Sequence, residues 1–89
     1  GEGRSIYPDG SMYLGEYNNG KFHGQGTFIW KDGYYYEGEF RDGTPNGQGT
    51  ETLPNGHLIG EYKDGKPWNA KGYDKESNII AKWVNGVKK

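Results

Sequence analysis

The stretch Asp9–Trp30, DGSMYLGEYNNGKFHGQGTFIW, sets the organisation of this chain. It recurs 23 residues later at Asp32–Leu53 as DGYYYEGEFRDGTPNGQGTETL, and in degraded form at Asn55–Asp74. A fixed period of this length indicates one small supersecondary unit that is copied along the chain. Such a unit cannot bury its apolar face alone and must stack on its neighbours. The sequence therefore predicts an elongated array rather than a closed globule.

Each copy is predicted to be an antiparallel β-hairpin, so that the fold is all-β and forms an elongated, twisted open sheet. The pairs Asp9-Gly10, Asp32-Gly33 and Asn55-Gly56 separate short runs rich in Tyr, Phe, Thr and Ile. Such pairs are typical of type I′ turns, in which both central residues have positive φ. We place hairpins at about 4–17, 26–40, 49–62 and 72–83, the last with a turn at Lys75–Asn78. They form one domain over 1–89, with units at about 3–25, 26–48 and 49–71 and an atypical terminal unit at 72–89.

Strand alternation predicts which side chains share a face of the sheet. In the second strand of each hairpin, one face would carry Tyr13, Gly15 and Tyr17, then Tyr36, Gly38 and Phe40, then Leu58, Gly60 and Tyr62. Aliphatic residues are scarce, whereas 16% of the chain is aromatic, so rings must supply most of the core. The glycine between two rings would leave room for a ring from the partner strand. We therefore assign the repeated glycines a structural role.

These residues resemble the MORN repeat (membrane occupation and recognition nexus), whose pattern is Y-x-G-x-(aromatic)-x-x-G-x-x-x-G-x-G. The resemblance covers about residues 3–75, with Leu58 and Ala70 as departures in the third copy. It implies consecutive antiparallel hairpins and an accessory or adaptor role. The positions that carry it are Tyr13, Gly15, Tyr17, Gly20, Gly24, Gly26, Tyr36, Gly38, Phe40, Gly43, Gly47, Gly49, Gly60, Tyr62, Gly65 and Gly72.

The sequence predicts no enzyme, and neither catalytic residues, nor a metal, nor a cofactor. Cysteine is absent, which excludes disulfides and thiolate metal sites. His23 and His57 occupy different positions within the unit, so they form no shared row. Glu16, Glu39 and Glu61 each follow a strand glycine, and we expect one acidic stripe that is solvated or faces a partner. Acid–base catalysis and weak cation binding are the lesser interpretations of that stripe.

Protein recognition is the function that the sequence favours, either of a partner or of a second copy of the chain. The side chains predicted to form the partner-binding surface are Tyr35, Phe22, Trp68, Met12, Leu14, Glu16, Glu39 and Glu61, because the rings and aliphatic chains among them are not needed for the inner aromatic rows. No basic groove accompanies the aromatics, which argues against nucleic acid.

Two alternatives stay open. The net charge of −1 combines −5 over residues 1–65 with +4 over residues 66–89, so an adaptor for anionic phospholipid would have to use the lysines of that second segment. The chain also begins within one unit and ends on a degraded one. The resemblance therefore admits a regulatory region of a larger enzyme, such as a phosphatidylinositol phosphate kinase or a SET-domain methyltransferase. The expected location is intracellular and cytoplasmic, with membrane or cytoskeletal association left open.

Overall fold

Nine antiparallel β-strands form one open sheet in which every strand pairs with the strands before and after it in the chain. The computed structural model describes residues 1–89. The strands are β1 (Glu2–Ile6), β2 (Met12–Asn18), β3 (Lys21–Ile29), β4 (Tyr35–Arg41), β5 (Thr44–Leu53), β6 (Gly56–Lys63), β7 (Lys66–Asp74), β8 (Ile79–Val84) and β9 (Val87–Lys88). The predicted all-β hairpin array is therefore confirmed, and β9 is a strand that the sequence pattern did not predict. No helix in this structure could cross a membrane.

The type I′ turns lie at the opposite end of the sheet from the one predicted. Both residues have positive φ at four two-residue turns, Asn19-Gly20, Asp42-Gly43, Asp64-Gly65 and Asn85-Gly86. At Asp9-Gly10 and Asp32-Gly33 only the glycine has positive φ. There the Gly10 N–H donates to the Tyr7 carbonyl and the Tyr7 N–H donates to the Ser11 carbonyl, which closes a longer turn. The type I′ assignment to the Asp-Gly pairs was therefore wrong.

Proline explains part of this difference. Pro54 is the first residue of the two-residue loop between Leu53 and Gly56. Its ring fixes φ near −65°, which is incompatible with a type I′ turn. Pro8 likewise precedes Asp9 and favours an ordinary type I turn there. The sheet is consequently an unbroken series of tight connections in which each hairpin is joined to the next by another hairpin.

The core is a cluster of rings on one face of the sheet, which we call the ring face. Tyr13, Tyr36, Tyr62 and Phe40 are at most 4% exposed although only one layer of strands is present. A Cβ added at Gly26 would collide with the Tyr13 ring, and one at Gly49 with the Tyr36 ring. Each tyrosine therefore lies across a glycine of the next strand. Gly15, the glycine between two rings, does not make room for a ring of the partner strand as predicted, because a Cβ there would collide with the Gly26 Cα and the Gln25 carbonyl oxygen.

Crossing the glycine brings each tyrosine to an aromatic residue two strands away. Tyr13 on β2 contacts Phe40 on β4 with ring centroids 5.1 Å apart, and Tyr36 on β4 contacts Tyr62 on β6 at 5.0 Å. Both pairs have the edge-to-face geometry that aromatic pairs favour, worth about 0.5–1.5 kcal/mol beyond burial. The Tyr13 hydroxyl donates to the Glu16 carbonyl at 2.7 Å, so its polar end is satisfied. No buried side-chain polar atom in the protein lacks a hydrogen-bond partner.

The third copy keeps the strand glycine but loses the crossing ring. Gly15 pairs with Gly26 and Gly38 with Gly49, whereas Gly60 pairs with Ala70. Leu58 stands where the first two copies have Tyr13 and Tyr36. A leucine side chain does not reach across the next strand, so the methyl group of Ala70 fits there and is 6% exposed. The two departures from the repeat pattern are therefore one coupled change.

This coupling predicts a strong interaction between positions 36 and 49. Gly49→Ala alone should lower the free energy of unfolding by about 1–3 kcal/mol, because its methyl group occupies the space of the Tyr36 ring. The same change in a Tyr36→Leu background should cost little, giving a coupling energy of about 1 kcal/mol or more in a urea-unfolding double-mutant cycle. Gln48→Ala, at an exposed neighbouring site, is the control and should behave alike in both backgrounds. Additive effects at positions 36 and 49 would show that ring and glycine do not compete for space.

The buried phenols predict a loss of stability in alkali. Burial raises the pKa of Tyr13, Tyr36 and Tyr62, and that of Tyr36 rises to about 12, with the charge of Glu39 contributing. Above about pH 10 the unfolded chain loses these protons while the folded chain keeps them, so stability falls as pH rises. Tm by circular dichroism should change little from about pH 7 to 9 and then fall above about pH 10. Tyr36→Phe should make this fall shallower and Tyr35→Phe should not; identical slopes would contradict the prediction.

Candidate interaction surface

The face of the sheet opposite the ring cluster, which we call the open face, carries no second layer of structure. The protein measures 36 × 25 × 16 Å, and its thickness matches a single sheet with side chains on both faces. Pairing register places one row of open-face residues across eight strands: Ile6, Met12, Ile29, Tyr35, Thr52, His57, Tyr73 and Ile79. Six of these eight side chains are aliphatic, aromatic or thioether. An apolar band therefore runs across the uncovered side of the sheet.

Three of the predicted partner-binding residues come together on this face. Met12 and Tyr35 lie in the apolar row, each paired with Ile29, and Leu14 lies two residues along β2 from Met12. Leu14 is 40% exposed and Tyr35 is 38% exposed. Large apolar side chains that stay exposed and contiguous are typical of interaction sites. The open face is thus where the sequence-predicted apolar candidates form a surface.

Sequence reasoning missed the outer members of the open face. Ile6, Ile59 and Ile79 are 65%, 46% and 58% exposed and lie on the same side as Tyr35. Alternation would have found Ile6 and Ile59 had it been extended to the open face of β1 and β6. Ile79 could not be found in that way, because the register shifts between Gly72 and Tyr73 where β7 pairs with β8.

Phe22 was assigned to the partner surface, and the structure corrects this. Its ring stacks on the ring of Tyr13 with centroids 3.8 Å apart and planes 6° apart, and it also contacts Phe40. The Asn19-Gly20 turn pairs Tyr17 with Phe22, which brings Phe22 onto the ring face. Phe22 is therefore part of the core, and a ring counted as spare in the sequence is structural.

Trp68 lies apart from the open-face row. It is half-buried at the bulge of β7, its ring packs against Gly86, and Lys63 Nζ lies 4.5 Å from the ring centroid. It lines a polar cleft of about 650 Å³ together with Glu61, Arg41 and Asp42. Two predicted partner residues, Trp68 and Glu61, are thus brought together, but at the end of the sheet where the type I′ turns lie.

The predicted acidic stripe is largely engaged in holding the backbone. Glu16 Oε2 accepts a hydrogen bond from the Gln25 N–H at 2.6 Å, and Glu39 Oε2 accepts one from the Gln48 N–H. Each carboxylate sits where a side chain on Gly24 or Gly47 would collide with it. In the third copy Glu61 instead accepts from the Asn69 side-chain amide at 3.0 Å. The expected acidic stripe therefore also has a structural role in the first two copies, where Glu16 and Glu39 accept backbone hydrogen bonds.

The basic side chains of residues 66–89 do not form one patch. Lys71 and Lys82 pair on neighbouring strands of the open face, Lys88 lies 5.6 Å from the centroid of the Trp83 ring, and Lys75 is in the β7–β8 connection. No three His, Cys, Asp or Glu side chains are close enough together to hold a metal ion. The apolar row of the open face therefore remains the candidate interaction surface.

A family model of the MORN repeat matches three consecutive segments, residues 1–12, 13–33 and 36–58, which together make up well over half of the chain. No curated protein matches the chain. MORN repeats are in general modules for interaction with proteins or membranes.

The Glu39 carboxylate should have a measurable structural role. Glu39→Ala is expected to lower the free energy of unfolding by about 1 kcal/mol, because the Gln48 N–H loses a charged acceptor. Amide hydrogen exchange measured by NMR should become faster at Gln48 in the same variant. Glu37→Ala, two residues away on the same strand and exposed, is the matched control and should change stability by less than about 0.5 kcal/mol. Equal effects of the two substitutions on the free energy of unfolding would show that Glu39 contributes no more to stability than a solvated charge.

Proposed function

Because the chain belongs to the MORN-repeat family, we propose that it is a non-catalytic interaction module whose open face binds a protein partner or a second copy of the chain. The observation that carries this proposal is the uncovered apolar row from Ile6 through Tyr35 to Ile79. Single-layer sheets normally pack one face against another element to bury such a row. Here that element is supplied by a binding partner.

The dimensions of the open face suit a specific protein interface. Its two long dimensions, 36 Å and 25 Å, accommodate the roughly 800 Å² that each partner buries in an interface of standard size. Tyr35 and Met12 are residue types enriched in the buried centre of interfaces, and Tyr35 lies near the middle strand of the sheet. Thr27, Glu37 and Thr50 form the adjacent row and supply polar groups beside the apolar band.

Binding to anionic phospholipid is the competing function. Its support is the Lys71–Lys82 pair on the open face, next to Ile59. Membrane attraction of this kind amounts to about 1 kcal/mol for each basic residue near the surface. In the same cross-strand row Glu37 opposes that attraction, whereas Arg4 at the far end of the row adds to it. The apolar row therefore favours a protein over a lipid surface.

A surface substitution with a matched control tests the proposal. Leu14→Ser combined with Tyr35→Ser should weaken partner capture or dimerisation by about tenfold or more, with Tm nearly unchanged. Tyr7→Ser is the control, because Tyr7 is 37% exposed, as Tyr35 is 38% exposed, but contacts Phe28 on the ring face. Capture is quantified by mass spectrometry of bound proteins, and dimerisation by light scattering at increasing protein concentration.

Three outcomes have distinct meanings. Loss of binding in the Leu14/Tyr35 variant alone supports the open face. Equal loss in Tyr7→Ser moves the interface to the ring face and overturns the proposal. Sedimentation with phosphatidylserine vesicles that high salt abolishes, without any effect of Tyr35→Ser, would replace the protein partner by lipid.

A further inference from the structure

An apolar cavity lies beside the ring-face residues Leu58, Gly72 and Ala81. Its volume is about 300 Å³, and it lies near the connections from β5 to β6 and from β7 to β8. Tyr34, Leu53 and Ile80 also line it, and so do His57 and Tyr73, which belong to the open-face row. None of the residues that line it is Asp, Glu, Lys or Arg. The cavity, which we call the Gly72 cavity, is therefore suited to an uncharged apolar group.

The cavity arises where a row of ring-face side chains is interrupted. Pairing register joins Tyr13, Phe28, Tyr36, Glu51, Leu58, Gly72 and Ala81 into one row across β2 to β8. The row is filled by large side chains as far as Leu58, and then contains a residue with no side chain followed by one with a single methyl group. Gly72 pairs with Leu58 in the way that Phe28 pairs with Tyr13. The position that holds a phenyl ring in the first copy is empty in the third.

The backbone gives no reason for a glycine at position 72. Its φ is not positive, although an added Cβ would be close to three side chains: it would lie 3.3 Å from the Ala81 Cβ, a tight contact, and 3.8 Å from both the Leu58 Cγ and the Trp83 ring. By contrast, Gly49 has to clear the Tyr36 ring, and Gly43 has a φ of 89° in a turn. What the absence of a side chain at Gly72 provides is the space itself.

Phe28 shows how this sheet holds a phenyl ring at the equivalent place. Its ring centroid lies 5.1 Å from that of Trp30, 6.0 Å from Phe22 and 6.2 Å from Tyr7. The Gly72 cavity has Leu53, Leu58 and Tyr34 among its lining residues. At its mouth Tyr34 is 38% exposed and Ile80 is 65% exposed, so that an inserted ring would cover both. The volume is at the lower limit for ligand pockets, which suits one side chain better than a cofactor.

We propose that the Gly72 cavity receives an aromatic side chain the size of phenylalanine, presented by a segment of a protein partner. The site goes beyond the proposed function, on which it rests only in that the ring comes from a protein. An inserted ring buries its own apolar surface and that of Ile80 and Tyr34, and it completes the row that Gly72 interrupts. It anchors one residue of the partner in the way a buried aromatic anchors many interfaces.

A free probe tests the cavity without the partner. The full 89-residue chain is titrated with N-acetyl-L-phenylalaninamide while ¹H–¹⁵N NMR spectra are recorded, and N-acetyl-L-lysinamide serves as the charged comparison. A ligand this small should bind with Kd on the order of 1 mM. Saturable shifts should be centred on the amides of Leu58, Gly72 and Ala81, and the lysine compound should produce none there. Shifts that grow linearly without saturation, or that the lysine compound reproduces, would overturn the proposal.

The matching test replaces a residue that lines the cavity with a larger one that fills it. Gly72→Phe supplies the missing ring and should weaken probe binding by about tenfold or more. Lys71→Phe adds the same ring to the same strand on the open face and should leave the affinity within about twofold. Should Gly72→Phe not fold, Ala81→Leu narrows the cavity from β8 and should weaken the probe in the same direction. Unchanged affinity in the folded filling variant would contradict the assignment.

The open-face interaction and the Gly72 cavity can be tested independently of each other. Leu14→Ser with Tyr35→Ser should weaken partner binding through the open face by about tenfold or more and leave the phenylalanine probe bound. If the probe still binds and the open-face substitutions have no effect on partner binding, the cavity assignment stands and the proposed function is overturned. Partner binding that depends on Tyr35 with no probe binding at Gly72 would overturn the cavity alone.

Discussion

The contact on which the structure depends is that of a tyrosine ring lying across a glycine of the neighbouring strand. A single sheet has no second layer against which to bury its apolar face, so its core must be made from side chains that lie flat along the sheet. Tyr13 and Tyr36 do this over Gly26 and Gly49, and their rings reach Phe40 and Tyr62 two strands away. The glycines are required because any Cβ would lift the ring off the backbone. Where Leu58 removes the crossing ring, Ala70 becomes acceptable on the facing strand.

The use of one face as the core determines what the other face can do. Its side chains are not needed to cover the rings, so Tyr35, Leu14 and the isoleucines stay exposed as a band across the strands. The repeat therefore specifies shape through Tyr and Gly, while recognition falls to positions that the repeat leaves free to vary. The Gly72 cavity follows from the same division, because it lies where the third copy departs from the pattern of the first.

Much of the fold could be predicted from the sequence because the period, the alternation and the aromatic content all indicate stacked hairpins. The failures have local physical causes. Phe22 was assigned to the partner-binding surface because its position depends on the Asn19-Gly20 turn, which lies outside the predicted hairpins. The hydrogen bonds of Glu16 and Glu39 were not predicted, because a hydrogen bond to a backbone N–H near a bulge leaves no mark in residue spacing. Met12, Leu14 and Tyr35 lie together on the open face because period-2 alternation alone decides their side of the sheet.

Each strand pairs only with its neighbours along the chain, and this has a consequence for the response of the protein to mechanical load. Tension applied between the two ends acts on the outermost strands first, because no long-range pairing ties β1 to β8 or β9. The sheet would then unfold one strand after another, and each step would release a similar length of chain. A partner bound across several strands would hold them together, so the force needed to separate the strands would be higher when the open face is occupied.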